Sequence, residues 1–205
     1  MAKDVISESP LAPIYYKREV PEIGARNILT KSQIQEILES AKAYSPGYLY
    51  PILKMFEETA AKTGEIVELT WQNINCESKE VHFPGSVKSQ SRILKLADEL
   101  MSIIEKRKKI SGCVFLTYYK EPFTKTKLAR LINEFKIKTK HTLLWTLMDL
   151  RHSFAVNYLR SGGDMRKLQY LLGHNNIFDT KRLYSEAANK EESHPIEFNP
   201  LEIGS

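Results

Sequence analysis

The chain has 205 residues, 42% of them hydrophobic, which is enough to build one folded domain around a sizeable core. Its 30 Lys and Arg against 25 Asp and Glu give a formal net charge of +5, which is too mild by itself to establish a nucleic-acid partner. The two cysteines, Cys76 and Cys113, lack metal-ligand spacing, so we predict neither a disulfide framework nor a zinc site. No apolar run approaches the roughly 18 residues that span a bilayer, and the N-terminus lacks the apolar segment of a secretory signal. We therefore predict a cytoplasmic protein with no membrane partner.

The first third of the chain predicts an N-terminal arm and then three helical segments. Residues 1–27 contain three prolines and no sustained period, which is typical of an extended arm or an interdomain linker. Thr30 and Gln33 form a capping box, which predicts a helix with an apolar face over residues 34–41. A second helix follows, and a third segment covers residues 64–71. Four residues share the apolar face of the second helix: Leu49, Ile52, Leu53 and Phe56.

A small β region comes next. Val81 and Phe83 alternate with polar neighbours, residues 84–85 (Pro-Gly) signal a turn, and residues 93–96 resume an extended pattern. This succession predicts an antiparallel hairpin. A helix whose apolar face includes Leu100 follows it.

The second half of the chain predicts helices. One begins after Thr124, and the helical pattern over residues 147–189 is broken at the glycine pair 162–163 and at Gly173. Asp164 stands where it can cap the helix that ends at Gly173. We predict a mainly α fold with one small antiparallel β-sheet, of the α+β class.

A concentrated basic segment lies between residues 120 and 140. Its seven positive residues stand against Glu121 and Glu134, so this stretch alone carries the net charge of the whole chain. Such a face attracts backbone phosphates, although a solvated helix surface would have the same composition. The seven residues are Lys120, Lys125, Lys127, Arg130, Lys136, Lys138 and Lys140.

Chemically active side chains are concentrated near the C-terminal end of the folded region. Arg151 offers the planar donor fork that suits phosphate oxygens, and Tyr184 belongs to the residue types that form covalent intermediates. Each has an ordinary structural alternative: Arg151 could form a salt bridge with Asp149, and Tyr184 could be a core residue of a helix. The LLG run before His174 could likewise be an apolar helix end with a glycine cap.

Six landmarks in this order resemble the catalytic domain of the tyrosine recombinases, the lambda-integrase-like family. The resemblance runs over residues 28–188, with 1–27 as a linker and 189–205 as a C-terminal tail. It implies site-specific cleavage and rejoining of double-stranded DNA through a 3′-phosphotyrosine, in the manner of an integrase or a resolvase. It also implies four subunits around two DNA sites and no metal or nucleotide cofactor. The landmarks are ILT at 28–30, ELTW at 68–71, KSQSR at 88–92, DLRHSFA at 149–155, LLGH at 171–174 and Tyr184.

The resemblance also assigns roles to individual residues. Tyr184 stands at the position of the nucleophile, and Arg151 at that of the second of two arginines that bind the scissile phosphate. His174 matches the histidine that hydrogen-bonds this phosphate, and Lys88 matches the lysine that protonates the leaving 5′-oxygen, although a solvated turn lysine remains the alternative. Arg92 is a plausible contact to a backbone phosphate. We also expect Lys125 and Lys127, from the basic segment, to bind DNA.

Three positions depart from the family pattern. The first phosphate-binding arginine falls on Lys62, which keeps the charge but loses the bidentate fork. A histidine three residues before Arg151 falls on Met148, which cannot transfer a proton. The step from His174 to Tyr184 is one residue longer than usual, and we interpret it as a loop insertion around residues 178–179.

These departures keep other hypotheses open. The leading one is an active recombinase with attenuated cleavage, and the second is a DNA-binding protein derived from a recombinase whose catalysis is reduced or lost. The third, a helical interaction module unrelated to DNA, requires every motif to be a coincidence.

Overall fold

The computed structural model describes residues 27–44, 47–107, 112–140 and 145–189. The predicted arm, except its last residue, and the predicted tail, except its first, lie outside the described residues. Within these ranges the chain forms helices around one small sheet, which confirms the predicted fold class. The elements are α1 (Lys31–Ala43), α2 (Leu49–Thr59), α3 (Thr63–Val67), a 3₁₀ turn (Trp71–Asn73), β1 (Ile74–Asn75), β2 (Glu80–Phe83), β3 (Arg92–Lys95), α4 (Asp98–Glu105), α5 (Lys125–Lys138), α6 (Leu147–Arg160), α7 (Met165–Leu172) and α8 (Ile177–Asn189).

Helix ends follow the local signals in the sequence. The Thr30 side chain accepts the Gln33 amide, and the Gln33 side chain accepts the Thr30 amide at 2.9 Å, so the predicted capping box is confirmed. Asp164 caps α7 as predicted, and Thr124, after which the sequence predicted that a helix begins, caps α5. These caps satisfy amides that the first helical turn leaves without partners.

The core lies between α2 and the helices around it. The four residues predicted on the apolar face of α2 are at most 1% exposed, and α2 packs against α1, α4 and α6. Burial of each such side chain contributes about 1.5–3 kcal/mol. In the described ranges no helix is both long and apolar enough to cross a membrane.

The sheet is antiparallel in the order β1-β2-β3. Its edge strand β1 has only two residues, and the sequence pattern did not predict it. Val81 pairs with Leu94 and Phe83 with Arg92, so all four side chains point to the buried face. The predicted hairpin is therefore confirmed. The loop at residues 84–91 joins β2 to β3 and carries Lys88 towards the C-terminal helices.

Candidate active site

Arg151 and His174 meet at the centre of the candidate site. Arg151 projects from α6, is 4% exposed, and donates to the carbonyl oxygens of Ala60 and Leu172, the latter at 2.7 Å. The terminal nitrogen that donates to Leu172 also lies 3.2 Å from Nε2 of His174. Burial lowers the pKa of Arg151 to about 10, which still leaves the guanidinium charged at neutral pH. Asp149 is not its partner, because that carboxylate accepts from the Thr146 amide and hydroxyl at the start of α6.

His174 is held in an orientation set by two contacts. It follows Gly173, which ends α7 in the left-handed conformation predicted for a glycine cap. Its Nδ1 atom lies 2.9 Å from the Thr180 hydroxyl oxygen. Burial, followed by the charges of Arg151 and Lys62, lowers the pKa of His174 to about 4, so the ring is neutral at pH 7. Because Arg151 can only donate, Nε2 must accept and the ring proton is on Nδ1, where it points to Thr180.

Lys62 reaches the same region from the other side. It immediately precedes α3 as its N-cap residue, two positions after Ala60 ends α2 with a φ of 48°. Its Nζ atom lies 3.4 Å from the carbonyl oxygen of Lys88. Burial and the neighbouring charges of Arg151 and Arg92 lower the pKa of Lys62. Lys88 itself is exposed at the tip of the β2–β3 loop. The structure thus brings the backbone of Lys88 to the Lys62 ammonium, and it leaves the Lys88 side chain at the surface.

Tyr184 lies in the interior. It is 0% exposed, and its hydroxyl is 2.8 Å from Nδ1 of His152, the residue that follows Arg151 on α6. The expected loop insertion around residues 178–179 is wrong, because α8 begins at Ile177 and both residues belong to its first turn.

Arg92 occupies a different place from the one expected. Its side chain has no exposed surface, and its two terminal nitrogens bind the two carboxylate oxygens of Glu65 at 2.9 and 2.8 Å. The guanidinium also stacks over the Phe83 ring at 4.6 Å. In this arrangement a backbone phosphate contact requires the ion pair to open, because both ends of the donor fork are occupied.

Glu65 is the site residue that sequence reasoning missed. Burial alone would raise the pKa of Glu65, but the hydrogen bonds and charge of Arg92 outweigh it and lower the pKa overall. Its Oε2 atom also accepts the Lys62 amide at 2.7 Å. The sequence signal was a carboxylate three residues into a helix, the usual position for capping the N-terminal amides.

The expected DNA-binding lysines lie on the surface beside α3. Lys125 and Lys127 are exposed at the start of α5, and Lys127 pairs with Glu121 at 2.6 Å. The start of α5 adjoins α3, since a methyl group placed on Gly64 would lie 3.2 Å from Cε of Lys125. Within the described part of the chain, no group of three His, Cys, Asp or Glu residues is arranged to hold a metal ion.

Comparison with known proteins identifies the family. Residues 27–191 match the phage integrase family. The chain belongs to the phage integrase family. Among curated relatives, the tyrosine recombinase XerD of Staphylococcus saprophyticus is 26% identical over 93% of this chain. The match spans 65% of the length of that relative.

Solved structures of integrases and recombinases share the fold. The crystal structure of XerA recombinase is 21% identical, with a TM-score of 0.68 over 82% of this chain and 61% of that one. A lambda integrase dimer bound to a COC′ core site is 20% identical, with a TM-score of 0.63 over 85% of this chain and 51% of that one. The two residues that we expect to depart from the family pattern, Lys62 and Met148, differ in their burial. Lys62 is partly buried inside the site, whereas Met148 is 49% exposed on the first turn of α6.

Proposed function

We propose that this protein is a tyrosine-type site-specific DNA recombinase of the integrase or resolvase type. It cleaves and rejoins double-stranded DNA through a 3′-phosphotyrosine intermediate at Tyr184. The observation that carries the proposal is the 3.2 Å contact between the buried Arg151 guanidinium and the neutral His174 ring, with the Lys62 ammonium beside them. A guanidinium, an imidazole and an ammonium are suited to the oxygens of a phosphodiester. For a two-pronged contact these oxygens replace the carbonyl oxygens of Ala60 and Leu172, to which the Arg151 terminal nitrogens donate in the DNA-free protein.

The proposed reaction uses these groups in one displacement. The Tyr184 hydroxyl gives its proton to water and its oxygen bonds to phosphorus. The bond from phosphorus to the 5′-oxygen breaks, and the 5′-oxygen takes a proton from Lys88. Arg151 and Lys62 stabilise the charge on the non-bridging oxygens, and His174 joins them once DNA binding frees Nε2 from Arg151 and the ring proton moves to that nitrogen. One such donor contributes about 3 kcal/mol in related oxyanion sites. The attack of a 5′-hydroxyl on the phosphotyrosine reverses the step. Bond energy is conserved in the covalent intermediate, so the scheme needs no nucleotide or metal cofactor.

Tyr184 must leave its buried position before it can attack. Its hydroxyl is bonded to His152, and the ring packs between α6 and α8. We propose that DNA binding displaces the part of α8 that carries Tyr184. A ligand can shift such an equilibrium only by its difference in affinity for the two states, so the phosphate contacts must favour the displaced form.

Double-stranded DNA is the proposed partner, and four subunits around two sites form the proposed assembly. Lys125 and Lys127 are exposed at the start of α5, and Lys125 approaches Gly64 in α3, the helix that Lys62 precedes. A duplex backbone that enters the site would meet these lysines next. Because the substrate is DNA, we propose that the protein acts in the cytoplasm.

A covalent-capture experiment tests the proposal. Purified protein is incubated with a library of nicked duplexes, from which a short cleavage product diffuses away, and adducts are resolved on a denaturing gel. We expect a protein–DNA adduct that is absent in Tyr184→Phe and retained in the control Tyr119→Phe, whose ring is 81% exposed. An adduct that persists in Tyr184→Phe would refute the assigned nucleophile.

Replacing Lys62 and Met148 by the residues that the family pattern implies distinguishes an enzyme with slow cleavage from a DNA-binding protein that has lost catalysis. Lys62→Arg supplies the missing bidentate fork, and Met148→His supplies a group that can transfer a proton. We expect both variants to increase the rate of adduct formation. If the wild type forms no adduct and the double variant does, the protein is a DNA-binding descendant with lost catalysis.

A further inference from the structure

The β2–β3 loop is a compact turn. The backbones of Ser86 and Ser89 exchange two hydrogen bonds, at 2.7 and 3.2 Å, and their hydroxyl oxygens lie 2.9 Å apart. Ser89 is buried, whereas Val87 and Lys88 between them are exposed. Lys88 therefore belongs to a compact hydrogen-bonded turn. The contacts between this turn and the rest of the protein determine the position of the lysine.

Two residues of the α7–α8 connection hold the turn from one side. The Asn175 side chain donates to the Val87 carbonyl oxygen at 2.9 Å, and the Gln90 amide donates to the Gly173 carbonyl oxygen at 3.1 Å. His174 stands between Gly173 and Asn175 in the chain. The same short connection thus carries the phosphate-binding imidazole and the contacts to the lysine turn.

The connection is itself restrained. The His174 amide donates to the Gln169 carbonyl oxygen at 3.1 Å, and the Gln169 side chain donates to the His174 carbonyl oxygen at 3.0 Å. Gly173 ends α7 with a φ of 64°. A hydrogen bond can fix the position of the turn only if the α7–α8 connection that donates it is itself held in place.

We infer that Asn175 is a positioning residue that holds the Ser86–Ser89 turn beside the Arg151–His174 pair, so that Lys88 can protonate the leaving 5′-oxygen. The inference rests on the proposed function for the role of Lys88. Without the Asn175 contact, the exposed turn keeps its internal hydrogen bonds but loses the shorter of the two bonds to its tip, the other being the 3.4 Å contact from the Lys62 ammonium to the Lys88 carbonyl oxygen. A displacement of about 1 Å in a catalytic group can cost about a hundredfold in rate.

The test compares two leaving groups. Single-turnover adduct formation is measured on an ordinary duplex and on one whose scissile 5′-oxygen is replaced by sulfur. A thiol has a pKa of about 8.5, far below that of an alcohol, so the sulfur leaves without a proton donor. We expect Asn175→Ala to slow cleavage of the ordinary duplex by about tenfold to a hundredfold and to cleave the sulfur duplex at close to the wild-type rate.

Two variants calibrate the result. Lys88→Ala should show the same pattern with a larger defect, since it removes the donor itself. Gln72→Ala removes another exposed polar side chain, from the 3₁₀ turn before the sheet, and should behave as the wild type on both duplexes. Equal slowing of Asn175→Ala on both duplexes, or no slowing on either, would overturn the inference.

Amide hydrogen exchange keeps the contact testable if the proposed function fails. In Asn175→Ala, the amides of residues 86–90 should exchange faster than in the wild type and in Gln72→Ala. Suppose that the wild type forms no adduct with any DNA, but that the amides of residues 86–90 exchange faster in Asn175→Ala. The catalytic role would then be refuted, and the anchoring contact would be confirmed. Unchanged exchange would overturn the anchoring contact itself, whatever the activity.

Discussion

The phenolic oxygen of Tyr184 lies 2.8 Å from Nδ1 of His152, and both side chains are buried. This contact joins α8 to α6 directly beside Arg151. It makes the assigned nucleophile part of the folded core, so the group needed for the proposed chemistry also contributes to stability in the DNA-free protein.

The first prediction concerns this hydrogen bond. Tyr184→Phe should lower the free energy of unfolding by about 1–3 kcal/mol, because it removes a hydroxyl from a buried hydrogen-bonded pair. Tyr119→Phe is the matched control, since the same atom is removed from an exposed ring, and it should have no measurable effect. Urea denaturation of both variants measures the difference. Equal stabilities would mean that the buried contact does not form in solution.

The second prediction concerns the acid side of the stability curve. Folding lowers the pKa of His174 from 6.5 to about 4, so between these values the unfolded chain binds a proton that the folded chain does not. The contribution of His174 to stability is therefore complete above about pH 6.5 and is lost as the pH falls towards 4. After allowance for its partial solvent access, we expect a loss of about 2 kcal/mol.

The variant His174→Asn isolates this contribution from those of other titrating groups. Denaturation midpoints of the two proteins are compared from neutral pH to about pH 4.5. The wild type should lose more stability than the variant over this interval. Parallel curves would show that His174 titrates near its ordinary pKa in the folded protein.

The third prediction concerns the buried ion pair of Glu65 and Arg92. Glu65→Gln leaves the Arg92 guanidinium, which has no exposed surface, without its counter-charge, and should cost about 3–5 kcal/mol of unfolding free energy. Asp98→Asn is the control, because it removes one charge of the exposed Lys79–Asp98 pair, and it should leave stability unchanged within error. A small effect of Glu65→Gln would indicate that Arg92 finds solvent or another partner.

The fourth prediction uses two glycines with positive φ. Gly162→Ala, at a φ of 87° with no atom within 4 Å of the new methyl group, should show only the backbone cost of about 1–2 kcal/mol. Gly173→Ala has the same kind of cost at a φ of 64°, and its methyl group would also lie 2.6 Å from a terminal nitrogen of Arg92. Since Arg92 is bound to Glu65, it cannot retreat freely, and we expect about 1–3 kcal/mol more. Thermal unfolding of both variants tests the difference.

Local signals predicted most of the elements. The caps at Thr30 and Asp164 and the glycine end at Gly173 are confirmed, because a cap depends on residues three or four positions away in the chain. The two-residue strand β1 was missed, since so short a segment has no periodicity of its own.

The candidate site was predicted unevenly. Arg151 and His174 were expected to serve one phosphate, and they are in hydrogen-bond contact. The partner of Arg92 could not be predicted, because Glu65 is 27 residues away in the chain and only the tertiary fold brings the two together. The loop expected near residues 178–179 was wrong, because both residues lie in the first turn of α8.

The sequence by itself determined the types of element, their caps, and the order of the residues that carry family membership. These properties depend on short-range spacing and on side-chain chemistry. The tertiary structure alone decided that Arg92 is paired inside, that Asn175 supports the Lys88 turn, and that the Tyr184 hydroxyl faces His152. Such contacts join residues far apart in the chain, and their geometry arises only when helices and strands pack against one another.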